Sequence, residues 1–500
     1  MNSLALNTLS AVDARRLIAS RQVSPVELLE ACIAQMHAIN PAVNALAATR
    51  FEHARSEARV AERAVMRGEK LGLLHGLPLG VKDLEETAGL LTTYGSPIFR
   101  ANVPVHDNAM VARLRAAGAI LTAKTNTPEM GAGANTRNAV WGATGNPFDP
   151  ALNAGGSSGG SAVALATGML PLCTGSDTGG SLRIPAALCG VVGFRPSPGL
   201  VPSDLRLLGW SPLTVSGPMA RDVADTRLQL AAMVGLHDNE PLGGDCDYRT
   251  ILRAREVDLN TLRIGYTDDF GACEVSQTTR QVFRAKIAAL SRYVGVCEPV
   301  TFELGEIDRC FDVVRAQNFI ASFKEIYERD PDLLGSNTRT NYEMGLAMSL
   351  GDAVWAHAEQ TRIFRRFQAV FDRYDLIVSP TCSVSPFPWQ VPFLAEMDGR
   401  PLENYYRWLG LTYVVSLLTN PALSLPCGTD HAGMPFGLQL VGPFRGDRRV
   451  LDIAQALESA FSRDDDLRRP IPDLVKLAAT RVALKSIVTH APDDALAQGG

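Results

Sequence analysis

From residue 77 onward the chain alternates short apolar runs with amphipathic helical stretches, and few folds accept such a pattern. Residues 77–81, 119–123, 169–173 and 191–194 read as buried strands, as do 262–266, 376–379, 422–426 and 436–441. Runs this continuously apolar predict strands covered on both faces. Between them, Met110, Val111, Leu114 and Ala117 recur at helical spacing behind an expected Asp107 cap, and Val282, Phe283, Ile287 and Leu290 do the same behind Ser276. Strands separated by helices predict βαβ units and a mixed, mostly parallel sheet with helices on both faces. The first 70 residues read instead as helices. Ser24-Pro25 joins a capping hydroxyl to a proline at the first helical position, and 52–66 forms a second helical stretch.

The chain has 500 residues, 46% of them hydrophobic, so it can bury a large core as one α/β unit or as two or three average domains. Its formal net charge of −5 gives no general attraction to nucleic acid or anionic membranes, which points to a small-molecule partner. The nine cysteines form no Cys-x-x-Cys pair and no two of them stand near a histidine at metal-ligand spacing, so no metal site is expected. Unpaired thiols fit a reducing cytoplasm. Met1-Asn-Ser-Leu-Ala-Leu6 lacks a basic start before an apolar run, so no secretory signal is expected. The longest apolar stretch, 411–426, is interrupted by Thr412, Ser416, Thr419, Asn420, Pro421 and Ser424 and is too broken to span a bilayer. Residues 235–247, rich in Gly, Asp and Asn, read as a loop, and the weakly patterned tail after about 465 is expected to be partly disordered, above all 493–500.

Two Gly/Ser clusters carry the chemistry. The first is Gly155-Gly156-Ser157-Ser158-Gly159-Gly160-Ser161, the second Gly175-Ser176-Asp177-Thr178-Gly179-Gly180-Ser181-Leu182-Arg183-Ile184-Pro185. Successive N–H groups in such a turn can converge on one oxyanion, and a serine directly after Thr178-Gly179-Gly180 would sit beside them as an acyl-transfer nucleophile. A serine hydroxyl needs a base. None of the eight histidines lies in a cluster suited to that role, whereas Lys82 follows the apolar run 77–81. Burial there would lower its pKa toward neutrality and make it a usable base. Other readings stand beside this one. The first cluster lacks the Lys-Ser/Thr that closes a phosphate-binding loop. Gly155-x-Ser157-x-Gly159 also fits a nucleophile elbow, with Ser157 attacking and a later histidine such as His431 as base, but that leaves Lys82 and the second cluster without a role.

Three segments in order, His75-Gly-Leu-Pro-Leu-Gly-Val-Lys82-Asp83, Gly155-Gly-Ser157-Ser-Gly-Gly-Ser161 and Ser176-Asp-Thr-Gly-Gly-Ser181-Leu-Arg-Ile-Pro185, resemble the amidase signature family. The resemblance extends to Lys124-Thr-Asn-Thr-Pro-Glu-Met130, Asn420-Pro-Ala-Leu-Ser-Leu-Pro-Cys-Gly428 and Met434-Pro-Phe-Gly-Leu-Gln-Leu-Val-Gly442. It implies a single large α/β domain, with a helical segment over 1–70, a catalytic core over 71–462 and a tail over 463–500. By the same resemblance Ser181 is the nucleophile, and Ser157, in a cis-peptide turn, bridges it to Lys82. The N–H groups of Thr178, Gly179 and Gly180 form the oxyanion hole, and no cofactor is required. The implied reaction is hydrolysis of a carboxylic amide by a free-standing monomer or homodimer. Esters and carbamates pass through the same tetrahedral oxyanion and belong to the same expectation. The family also includes the subunit of a transamidation complex acting on glutamyl-tRNA, which would need a partner protein.

Asp177 and Arg183 read as a structural pair, Asp83 as structural, and Cys173 and Cys189 as small core residues. Met130 is a candidate for the acyl pocket. Residues 387–413 hold seven aromatics, Phe387, Trp389, Phe393, Tyr405, Tyr406, Trp408 and Tyr413, which read equally as core packing or as the wall of a cleft selecting aryl or apolar substrates. Trp389 and Phe393, in the proline-rich part, are the wall candidates.

Overall fold

The computed structural model describes residues 6–499; residues 1–5, where the signal-peptide expectation falls, and 500 lie outside the described residues. Among the described residues eleven strands form one sheet. In chain order they are β1 (Leu46–Thr49), β2 (Pro78–Lys82), β3 (Ile120–Thr125), β4 (Leu172–Asp177), β5 (Val192–Arg195), β6 (Val215–Ala220), β7 (Arg263–Tyr266), β8 (Val296–Pro299), β9 (Leu376–Pro380), β10 (Ala422–Thr429) and β11 (Pro435–Val441). Their order across the sheet is β1-β3-β2-β4-β6-β5-β10-β11-β9-β7-β8. The sheet is mixed, as expected, but its parallel share is smaller than expected. Four neighbouring pairs are parallel (β2–β3, β2–β4, β7–β9 and β7–β8) and six are antiparallel, so parallel pairing is confined to two patches. The reason is β6, a strand that the apolar pattern does not announce, which runs antiparallel between β4 and β5, and the β10–β11 hairpin beside it.

All eight strand expectations fall on strands, with shifted ends. The run at 169–173 is the largest shift: Met169 and Leu170 are buried before the strand begins, and β4 continues to Asp177. The helix Gly159–Ala166 is buried at every residue, so its small side chains let it press into the sheet. At the amino-terminal side, Ser24 and Glu27 form a capping box on Pro25–Val43. Asp107 is not the cap of Ala109–Ala116; Asn108 is. Its extended backbone places its side chain to accept from Val111 N at 2.9 Å, while Asp107 accepts from Ala88 N at 2.8 Å and Arg115 Nε at 2.7 Å.

Residues 235–247 form a loop without regular structure. The tail lies along the core. Leu484 packs with Ala143 and Trp389, and its carbonyl accepts from Ala143 N at 2.8 Å. Within 493–499, expected to be disordered, Asp493 caps the short helix Asp494–Ala497 and Leu496 packs against Ala48, Leu90 and Leu91. Among the described residues no helix is long and apolar enough to cross a membrane.

Candidate active site

β2 ends at Lys82, whose side chain is fully buried and whose N–H donates to Thr174 Oγ1 at 2.9 Å. Its Nζ lies 2.7 Å from Ser157 Oγ and 3.0 Å from Ser176 Oγ. Burial lowers the Lys82 pKa from 10.5 to about 7, against the opposing pull of Glu85 and Asp177. A fraction of the lysine is therefore neutral near pH 7 and can accept a proton.

Ser157 stands in the turn before Gly159–Ala166, after a cis Gly156–Ser157 peptide bond. Thr136 fixes that turn: its N–H and Oγ1 donate to Gly155 O at 3.1 and 2.8 Å, and Oγ1 accepts from Gly159 N at 3.1 Å. A loop covers Ser157. A Cβ added to Gly131, which has φ +70°, would lie 3.5 Å from Ser157 Oγ and 2.8 Å from Leu84 Cδ1. Met130 precedes it with a φ of +50°.

Ser181 follows the turn at the end of β4 and is half-buried, in contrast to Ser157 at 2% exposure. Ser158 N–H donates to Ser181 O at 3.3 Å, which ties the two serine loops together. Asp177 organises the second loop. It accepts from Gly180 N at 2.9 Å, Leu182 N at 3.2 Å, Arg183 Nε and Nη2 at 3.0 and 2.9 Å, and Arg195 Nη1 at 3.0 Å. Burial alone would push this carboxyl up, but Arg183 and Arg195 hold it well below the usual carboxylate range. Asp177 is thus the structural anchor expected, with Arg195 as an additional partner. Gly180 has φ +128°, and a Cβ there would lie 2.2 Å from Thr412 Oγ1, so only glycine fits the turn.

One of the three expected oxyanion donors is otherwise engaged. The Gly180 N–H points at Asp177 and is already bonded, whereas among the described residues the N–H groups of Gly179 and Ser181 carry no bond to the protein. Thr178 pairs through its hydroxyl with Thr214 Oγ1 at 2.9 Å.

A cavity of about 440 Å³ opens beside Ser176, the second hydroxyl partner of Lys82. Met130 lines it, together with Leu84, Tyr94, Phe99, Phe323 and Ile326. Trp389 and Phe393 do not. Trp389 is packed between Ala143 and Leu484, and Phe393 packs toward Tyr405 with ring centroids 6.2 Å apart. The aromatic density at 387–413 is core: Tyr405, Tyr406, Trp408 and Tyr413 are all buried. The cavity takes its aromatic wall from elsewhere, Phe323 coming from the helix Ile307–Arg329.

Asp83 is buried and accepts from Thr93 N at 2.9 Å, a bracing role as expected. Cys173 and Cys189 are buried, and burial pushes both thiols up, so they are unreactive packing residues. His431 is exposed in the β10–β11 turn, while the amine hydrogen-bonded to Ser157 is that of Lys82. Ser176 is visible in the second motif, but nothing in the motif assigns it a role; its link to Lys82 needs the pairing of β2 with β4. Among the described residues no group of three or more His, Cys, Asp or Glu side chains could hold a metal ion.

The chain has relatives among known proteins. The family profile for amidases matches residues 27–451. The chain is 32% identical over 486 residues to an acylamidase of Rhodococcus erythropolis, covering 95% of this chain and 100% of that one. It is similarly close, at 33% identity over 501 residues, to a glutamyl-tRNA(Gln) amidotransferase subunit from Acidothermus cellulolyticus, covering 94% of this chain and 98% of that one. Among solved structures, a bacterial aryl acylamidase of the amidase signature family superposes with a TM-score of 0.84 at 25% identity, covering 95% of this chain and 99% of that one. By sequence profile, relatives and fold, the chain belongs to the amidase signature family and is an amide hydrolase of that class.

Proposed function

We propose that the protein is a free-standing amidase that hydrolyses a small apolar or aryl amide through an acyl-enzyme on Ser181. The observation that carries this reading is the 2.7 Å approach of buried Lys82 Nζ to Ser157 Oγ, in a loop bonded to the backbone of Ser181. Neutral Lys82 accepts the Ser157 proton as Ser157 accepts that of Ser181. Ser181 Oγ then attacks the carbonyl carbon. The N–H groups of Gly179 and Ser181, with that of Thr178, receive the oxyanion. Collapse of the tetrahedral intermediate breaks the C–N bond, and the proton held by Lys82 returns through Ser157 to the departing amine. Water then attacks the acyl carbon and gives its proton through Ser157 to Lys82, the C–O bond to Ser181 breaks, and the proton returns to Ser181 Oγ as the acid is freed. An ester or carbamate carbonyl enters the same path, so esterase and urethanase activity are part of the proposal. No cofactor takes part in these steps.

The cavity supports the substrate class. The apolar part of its lining, with Tyr94, Phe99, Met130 and Phe323, suits an aryl or bulky apolar group, and the arginine on it, Arg206, is engaged by Glu240 Oε2 at 3.0 Å and by two carbonyls. A substrate carboxylate would find no free cation among the described lining residues, which disfavours glutamine. The relatives that belong to amidotransferase complexes give the alternative reading its basis. The two separate on one experiment: purified protein, alone and monomeric or homodimeric by gel filtration, assayed on an anilide and on glutamine. Anilide hydrolysis without a partner supports the proposal, and glutaminase activity that appears only with an added amidotransferase partner protein supports the alternative. Nine unpaired cysteines fit a reducing cytoplasm as its place of work.

A further inference from the structure

Glu85 is a buried carboxylate, 7% exposed, that the relay above does not use. It sits one turn past the catalytic lysine, with its N–H donating to Lys82 O at 3.0 Å. Its side chain is clamped at both oxygens. Asn108 Nδ2 donates to Oε2 at 2.5 Å and Ser216 Oγ donates to Oε1 at 3.2 Å. Ser216 is the direct cross-strand partner of Ser176 in the β4–β6 ladder, and Ser176 is the second hydroxyl bonded to Lys82 Nζ. Lysine and carboxylate therefore face each other across one pair of hydroxyls, out of contact, beside the cavity that Glu85, Ser176 and Ser216 line.

The catalytic cycle gives such a carboxylate work. When Lys82 takes the serine proton, an ammonium forms in a fully buried site, where an uncompensated charge is costly. The Asp177 carboxylate is already neutralised by Arg183 and Arg195. Asp83 is committed to Thr93, and Glu86 to the Tyr94 hydroxyl. Lys124 also approaches Glu85, with Nζ donating to the Glu85 carbonyl and to Thr87 Oγ1. Asp107 is paired with Arg115, and Asp204, on the cavity wall, accepts from Ala109 N. Burial raises the Glu85 carboxyl above its usual range, against the opposing pull of Asn108, the two lysines and Ser216.

We propose that Glu85 is a positioning residue whose clamped carboxylate serves as the counter-charge for the Lys82 ammonium formed during acyl transfer. The inference rests on the reading of Lys82 as the base. Removing the negative charge disfavours the ammonium, so the lysine deprotonates at lower pH and also becomes a weaker proton acceptor in the transition state. A residue that merely braced the Asn108 cap would lower activity without moving the pH profile.

The test is the pH dependence of kcat and kcat/KM on an anilide for the wild type, Glu85→Gln, Glu85→Asp and Ser216→Ala. Glu85→Gln is expected to move the acid limb down by about one pH unit and to lower plateau kcat by roughly tenfold, with KM changed by less than about twofold. Glu85→Asp keeps the charge and should return the limb to within a few tenths of a unit. Ser216→Ala, which removes one donor from the carboxylate, should move it the same way by less. A folded Glu85→Gln enzyme whose acid limb coincides with that of the wild type, or moves up, overturns the inference. If Glu85→Gln does not fold, an unmoved limb in Ser216→Ala overturns it. A wild type with no acid limb, or an active Lys82→Ala, would overturn the lysine-base reading instead.

Discussion

The proposed chemistry turns on what burial does to one amine. Lys82 ends a strand covered on both sides, and this desolvation, rather than any partner, brings its pKa down from 10.5 to about 7. The activity of the proposed relay should therefore rise with pH. The neutral, basic form is lost as pH falls below about 7, so kcat/KM should climb through that value and level off on the alkaline side. A profile flat between about pH 5 and 9, measured where chemistry is rate-limiting, would contradict a lysine base. Ser181→Ala should lose nearly all activity, and Lys82→Ala and Ser157→Ala should each lose several orders of magnitude. Because the three act as one unit, double variants should lose little beyond single ones, a pattern read directly from the kcat values. Single residues are where the sequence is most informative. The three positions of the proposed triad stand out in the sequence because each lies in a motif resembling the amidase signature family, and the resemblance is what assigns their roles. The roles of Glu85 and Ser176 are not, since their relation to Lys82 arises only when β2, β4 and β6 lie side by side.

At the scale of elements, legibility follows hydrophobic pattern. Strands with continuous apolar runs are readable, and those without are not. β6, Val215-Ser-Gly-Pro-Met-Ala220, holds a glycine and a proline that speak against a central strand. Pro218 lies opposite Thr174 in the β4 ladder and outside the short pairing with β5, which involves only Met219 and Ala220. β8 is a sheet edge ending at Pro299, and β1 is four residues at the other edge. The aromatic stretch 387–413 misleads for a related reason: composition marks burial but does not say which cavity, if any, is being lined. Two variants separate wall from core. Phe323→Ala should lower kcat/KM for an anilide relative to acetamide by about five- to a hundredfold, the effect of losing an aryl contact of about 1–3 kcal/mol. Trp389→Ala should leave that ratio unchanged and instead lower the melting temperature, because its ring fills the space between Ala143 and Leu484. The loop anchor gives a stability prediction. Asp177→Ala would strand Arg183 and Arg195, both fully buried, and should cost about 3–5 kcal/mol in urea unfolding.

Across the whole molecule, both ends of the described chain pack onto the same core that carries the relay: Asp225, on a central helix, accepts from Ala11 N and Val12 N at 2.7 and 2.9 Å, and Leu484 anchors the tail. If the protein is the free-standing amidase proposed, activity of the purified enzyme should be independent of added protein and should survive EDTA, in keeping with a relay made only of side chains. The measurement that bears most directly on that relay is covalent capture. An aryl phosphonate or sulfonyl fluoride should inactivate the enzyme with one adduct per chain, and peptide mass spectrometry should place that adduct on Ser181. An adduct on Ser157, with Ser181 unmodified, would contradict the assignment of nucleophile and bridge.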